Sequence, residues 1–198
     1  MFRKLLNPFA YFDDKILLIV GIFAHFIFSY ICYISSSYFP DFLSIQKVKI
    51  AFSFPDIVYQ NTRNVFIAVV IFYIFGKIIN SKTRLVDIIN VILISRIAYY
   101  AVFITDFIPF INHKIDRLAE GVLSNDFSML HDISTMAIVV IVAFIAIFFM
   151  ALMFYYLYIG FKTVTNMKSL QQTIAFVAVV LFLIIFTSIL ALIIPQKI

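Results

Sequence analysis

Arg96 stands near the middle of DIINVILISRIAYYAVFITDF, residues 87–107, a stretch otherwise apolar enough to cross a bilayer. A guanidinium stays charged in proteins, and insertion scales put its cost at a helix centre at roughly 2.5–3.5 kcal/mol. At about 100° per residue, Arg96 shares a helix face with Ile89, Ile92, Leu93, Tyr99, Tyr100 and Phe103. Asp87 falls on the opposite face, and no other predicted span carries an acidic residue in its apolar interior. An ion pair is therefore not on offer. Three readings are open. Residues 83–95 form an interfacial turn with Arg84, Asp87 and Asn90 on its wet side, and Arg96 snorkels to the headgroups. Alternatively, Arg96 is held inside the bundle by carbonyls and tyrosine hydroxyls, or it lines a polar cavity and binds an anionic group. The sequence favours a non-catalytic Arg96 in the cytoplasmic third of the membrane.

His25, Ser29 and Cys32 mark a second polar stripe, on the first span. A histidine there can relay protons, but interhelical hydrogen bonding is the more common use. The candidate polar intramembrane site is thus Arg96, Tyr99, Tyr100 and His25. His113, Asp116 and Glu120 share one face of a later segment at metal-compatible spacing, but Lys114 and Arg117 among them favour a solvated face over a metal site. HExxH, GxSxG, P-loop and GxGxxG motifs are missing, and the single cysteine excludes an intramolecular disulfide or a multi-cysteine metal site. The sequence predicts no catalytic residues, no cofactor and no metal.

These residues must be positioned by membrane helices. Of 198 residues, 64% are hydrophobic and 13% charged, with a mean hydropathy of +1.09. A chain this short cannot hide so much apolar surface from water, so lipid is its main solvent. Runs of about 20 apolar residues predict an all-α bundle of five transmembrane helices in a single domain, 1–198. The spans are approximately 16–38, 58–79, 86–110, 133–159 and 170–194. Gly (4) is scarce, so packing through Ala, Ser and interlocking aromatics is expected rather than GxxxG contacts.

Five spans put the two ends on opposite sides. Arg3, Lys4, Lys15, Lys77, Lys82, Arg84, Lys162 and Lys168 fall on the N-terminal side. Lys47, Lys49, Arg63, Lys114, Arg117 and Lys197 fall on the other. The tight loop GKIINSKTR best fits the positive-inside rule, which predicts a cytoplasmic N-terminus. Ile, Lys, Asn and Phe usage points to an AT-rich genome, hence a bacterial inner membrane. The net charge of +5 reflects lysines and arginines flanking the spans rather than nucleic-acid binding. Two longer loops lie on the predicted outer side. Residues 41–56 show partial alternation between Pro40 and Pro55. Residues 113–123 put Ile115, Leu118, Ala119, Val122 and Leu123 on one stripe, predicting a short amphipathic surface helix between spans three and four, with Lys114 and Arg117 toward water or headgroups.

The Asn7-Pro8-Phe9 lead-in to span one, the nearly charge-free final pair of spans and GKIINSKTRLVDIINVILISRIAYY (76–100) give the chain its likeness to a family. It resembles the Yip domain family of small multi-span membrane proteins, as a compact bacterial member. The acidic-tyrosine DLYGP-type motif and the long cytosolic N-terminus of eukaryotic members are missing, so Rab binding does not carry over. The resemblance implies a non-enzymatic protein with an inward N-terminus. The expected role is membrane organisation or adaptation, with membrane lipids, other membrane proteins or a second copy as partners. The alternative is a small transporter or channel subunit with a polar cavity around Arg96. A cavity reaching Arg96 would separate the two.

Overall fold

Four of the long helices begin where a short polar side chain caps them. Asp13 accepts from the Lys15 amide, and Asp132 from the Ser134 amide. Ser53 with Asp56, and Ser169 with Gln172, form reciprocal capping boxes. A computed structural model describes residues 2–47, 52–124 and 132–196. Its helices are α1 (Phe2–Leu6), α2 (Asp14–Ile34), α3 (Phe54–Ile79), α4 (Leu85–Tyr100), α5 (Pro109–Leu123), α6 (Ile133–Thr165) and α7 (Leu170–Ile193). Five segments are long and apolar enough to cross a membrane: α2, α3, α4 with its continuation to Phe107, α6 and α7. The protein is an all-α, five-span integral membrane bundle.

The predicted boundaries shift for local reasons. Span one ends at Ile34 because Ser36 adopts a left-handed φ of 52°, turning the chain into a strand at Ser37–Tyr38. Span two begins at Phe54, four residues early, so the polar block Gln60–Asn64 lies inside the helix. Span three is α-helical only to Tyr100 and tightens into a 3-10 helix over Ala101–Phe107. Span four continues to Thr165, where Asn166 closes it at φ 56°.

Helix α4 is the central helix, with α2, α3 and α6 packed around it. Gly21 of α2 lets Leu93 approach so closely that a Cβ would lie 2.8 Å from the Leu93 Cβ. Further along, Phe28 stacks on Tyr100 at 4.7 Å. Phe161 of α6 packs among Phe72 (5.4 Å) and Phe75 (5.2 Å) of α3 and Phe176 of α7 (5.4 Å). Aromatics interlock as expected, yet the few glycines also mark close approaches.

Residues 2–12 cross one end of the bundle as a strap. Asn7 donates to Thr163 (3.2 Å), Tyr156 donates to the Leu5 carbonyl (3.1 Å), and Phe9 lies over Gly160. At the other end, α5 is tied to α6 by Lys114, whose ammonium meets Asp132 at 2.8 Å. The predicted surface helix exists, with Ile115 and Leu118 half-buried and Arg117 exposed. Lys114 departs from expectation: it is half-buried and ion-paired rather than turned to headgroups. The Ala119, Val122 and Leu123 side chains lie outside the described residues.

Candidate functional site: a clasp around an inserted hairpin tip

The first part of the link between spans one and two, residues 37–43, does not run over the surface. Ser37–Tyr38 and Gln46–Lys47 pair antiparallel, and the tip between them enters the bundle. Phe39 and Phe42 are fully buried, and Asp41 is 5% exposed. Non-helical backbone at membrane depth requires internal partners, since an unpaired buried carbonyl costs about 1–3 kcal/mol. Here five consecutive carbonyls each accept from a side chain. Asn64 Nδ2 donates to Phe39 O (3.0 Å) and Asp41 O (2.8 Å), and Arg63 Nη2 to Pro40 O (2.7 Å). Arg96 Nη1 donates to Phe42 O (2.8 Å), and Tyr99 Oη to Leu43 O (2.7 Å).

The tip also satisfies its own donors. The Asp41 carboxylate accepts from the Leu43 and Ser44 amides at 2.8 and 2.7 Å, an Asx-type turn. From α7, Thr187 accepts from the Phe42 amide (3.2 Å) and Ser188 donates to Asp41 (3.3 Å). Three helices therefore hold one six-residue tip, 39–44.

Arg96 is 1% exposed. The pairings of Gly21 with Leu93 and Phe28 with Tyr100 put it level with the middle of α2, and it is the midpoint of the third span. This corrects the snorkelling reading: the side chain is buried and reaches across to the tip instead. Its guanidinium carbon lies 4.8 Å from the Phe39 ring centre, 5.0 Å from Phe42 and 5.2 Å from Tyr100, while Nε donates to Tyr100 Oη at 3.1 Å. Desolvated cation–π contacts contribute about 0.5–2 kcal/mol each, so three of them offset a central arginine's insertion cost. None of the ion pairs among the described residues involves Arg96. Asp87 and Asn90 are also drier than the interfacial-turn reading predicts, at 8% and 2% exposure. Arg84 alone stays wet, bridging Asp14 and Asp87.

His25 lies beside this cluster rather than in it. Its Nε2 pairs with Thr62 Oγ1 at 3.1 Å, and Ser29 accepts from Asn61 at 3.0 Å. The structure thus brings Arg96, Tyr99 and Tyr100 together around the tip, with His25 in a neighbouring α2–α3 contact. His113 is exposed on α5, and among the described residues no group of three metal-ligating side chains forms.

Sequence reading missed Asn64, Arg63, Asp41 and the tip phenylalanines. The available signal was QNTRN, residues 60–64, a polar block too dense for a lipid-facing turn, with Pro40-Asp41 in the preceding loop.

Among the described residues, four cavities adjoin the bundle, and Arg96 lines none of these four. One, of about 430 Å³, opens at the hairpin base among Ser37, Ser44, Lys47, Tyr99, Thr105 and Asp106, where Lys47 pairs with Asp106 at 3.2 Å and donates to Asn112. Chemically, the arrangement is a lock: Arg63, Asn64, Arg96 and Tyr99 each commit a donor to the tip backbone, while Arg96 Nη2 and Arg63 Nε and Nη1 are buried without a partner among the described residues. Compared with known proteins, the chain matches no protein-family profile, no curated protein and no solved structure.

Proposed function

We propose that this is a non-enzymatic membrane-organising or adaptor protein of Yip-like type, resident in a bacterial inner membrane with its N-terminus in the cytoplasm. The observation that carries the reading is the use of Arg96, Asn64, Arg63 and Tyr99 to hold the tip carbonyls, which turns the polar interior into structure. Intramembrane charge otherwise marks a substrate path by default. The five-helix plan, the Asn7-Pro8-Phe9 turn and the basic α3–α4 loop support the family likeness and the orientation.

A small transporter or channel subunit is the second reading. The 430 Å³ cavity favours it, because Tyr99 both lines that cavity and holds the tip. Proteoliposome flux of chloride, phosphate and protons separates the two. The scaffold reading expects rates equal to protein-free vesicles. Saturable flux abolished by Tyr99→Phe would establish the transporter instead.

A further inference from the structure

Helix α4 is covered by α2 on one side and α6 on the other, but one stripe of it stays open. Ile94, Ile97, Ala98 and Ala101 follow i, i+3, i+4, i+7 spacing and floor a furrow of about 500 Å³ between those two helices. The two alanines make it deep. Val20 and Ile16 form one wall, Phe149 and Leu152 the other, and the strap residues Leu5, Pro8 and Phe12 close the end nearest the N-terminus. Its volume falls within the range of ligand sites, about 300–1,000 Å³, and its lining is apolar except for Tyr156, whose hydroxyl is spent on the Leu5 carbonyl, so it suits a hydrocarbon chain.

Charge is arranged at the same end. Lys4 on the strap and Lys15 at the start of α2 are both exposed, next to lining residues Leu5 and Ile16. The nearby acids are committed elsewhere: Asp13 caps the Lys15 amide and Asp14 pairs with Arg84. Among the described residues neither lysine has an acidic partner. The furrow stops at the strap, so a partner transmembrane helix, which needs about 30 Å of unobstructed height, does not fit along it. A lipid tail entering from one leaflet does.

We propose that the furrow binds one acyl chain of an anionic phospholipid from the N-terminal-side leaflet, with its phosphate held between Lys4 and Lys15. The inference deepens the scaffold reading, on which it rests, by naming a lipid partner. Basic residues at a membrane surface contribute about 1 kcal/mol each toward anionic lipid, roughly five-fold per lysine.

The test uses the full chain in phosphatidylcholine vesicles carrying trace chain-spin-labelled phosphatidylglycerol, read by the motionally restricted fraction in electron paramagnetic resonance. The wild type should restrict this probe well beyond spin-labelled phosphatidylcholine. Ala98→Phe, which fills the furrow floor, should remove the excess, and Lys4→Gln with Lys15→Gln should lower the headgroup preference at least ten-fold. Equal restriction of the two probes by the wild type would overturn the proposal. So would undiminished restriction in a folded Ala98→Phe variant, or a second copy seated there, seen as disulfide dimers of Ala98→Cys. If Ala98→Phe fails to fold, the surface lysine pair decides, and an unchanged preference overturns it. Flux measured in the same vesicles would overturn the scaffold reading while leaving a positive lipid result standing.

Discussion

Arg96 and Phe42 are 54 residues apart in sequence, yet Nη1 of the first lies 2.8 Å from the carbonyl oxygen of the second. A bond from the midpoint of one span to the tip of another link explains why the arginine is there. Arg96→Lys should lower stability by about 1–3 kcal/mol, the cost of an unpaired buried carbonyl. An ammonium cannot reach Phe42 O and Tyr100 while lying over three rings. Arg96→Leu should cost a similar amount, partly offset by removal of a desolvated charge. Arg96→Glu should be worst, since it turns an acceptor toward a carbonyl. Unfolding in mixed detergent micelles measures all three, and a Lys variant as stable as wild type would show that the fork is not needed.

Asn64 serves two carbonyls with one amide group. Asn64→Leu keeps the volume but strands Phe39 O and Asp41 O, so the expected loss is about 2 kcal/mol or more. Protease should then cut between 38 and 46 in the folded variant while sparing the wild type. Equal resistance in both would mean that the tip does not depend on Asn64.

Two glycines should respond differently to alanine. At Gly21 the new Cβ meets the Leu93 Cβ at 2.8 Å, an atom fixed to backbone, so α2 and α4 must part. A loss of about 1–3 kcal/mol is expected from overpacking. At Gly160 it meets the Phe9 ring edge at 2.6 Å, and a ring can swing aside. Gly160→Ala should leave bundle stability within about 1 kcal/mol, helped by alanine's helix propensity, but loosen the strap. Thermal unfolding and proteolysis before Lys15 distinguish the two effects. The reverse ranking would contradict this packing.

Asp132 carries the pH dependence outside the membrane. The hydrogen bond from Lys114, then those from Thr135 and Ser134, hold its carboxyl well below the usual carboxylate range. A depressed folded-state pKa stabilises above the unfolded value, about 3.9, and that stabilisation is lost as pH falls toward the depressed value. The stability advantage of wild type over Asp132→Asn should be flat from pH 7 to 5 and shrink below about 4. Lys114→Met should weaken this dependence. An advantage that grows on acidification would contradict the assignment.

What the sequence made legible was whatever hydropathy encodes. Five apolar runs gave five helices, and Arg96 stood out because charge inside an apolar run is costly. Its partners did not, because Phe42 O is a backbone group and backbone groups leave no mark in composition. Asp41 read as an outer-loop acid, since nothing local says that the loop after Tyr38 turns inward. Only Asn64, Arg63 and Thr187, scattered over two other spans, declare it. The lone histidine of span one was similarly readable as a hydrogen-bonding group, though not its partner Thr62.

The inserted tip has a consequence for how the chain is made. Residues 39–44 leave the ribosome before α3, α4 and α7, yet those helices supply every side-chain donor to the tip carbonyls and the Thr187 acceptor for its Phe42 amide. Until they arrive, the tip has nowhere to satisfy its carbonyls except water. Span one is therefore threaded first and its own loop is stowed last, after synthesis of the final helix. Biogenesis on this geometry ends with a seating step that requires α3, α4 and α7 together.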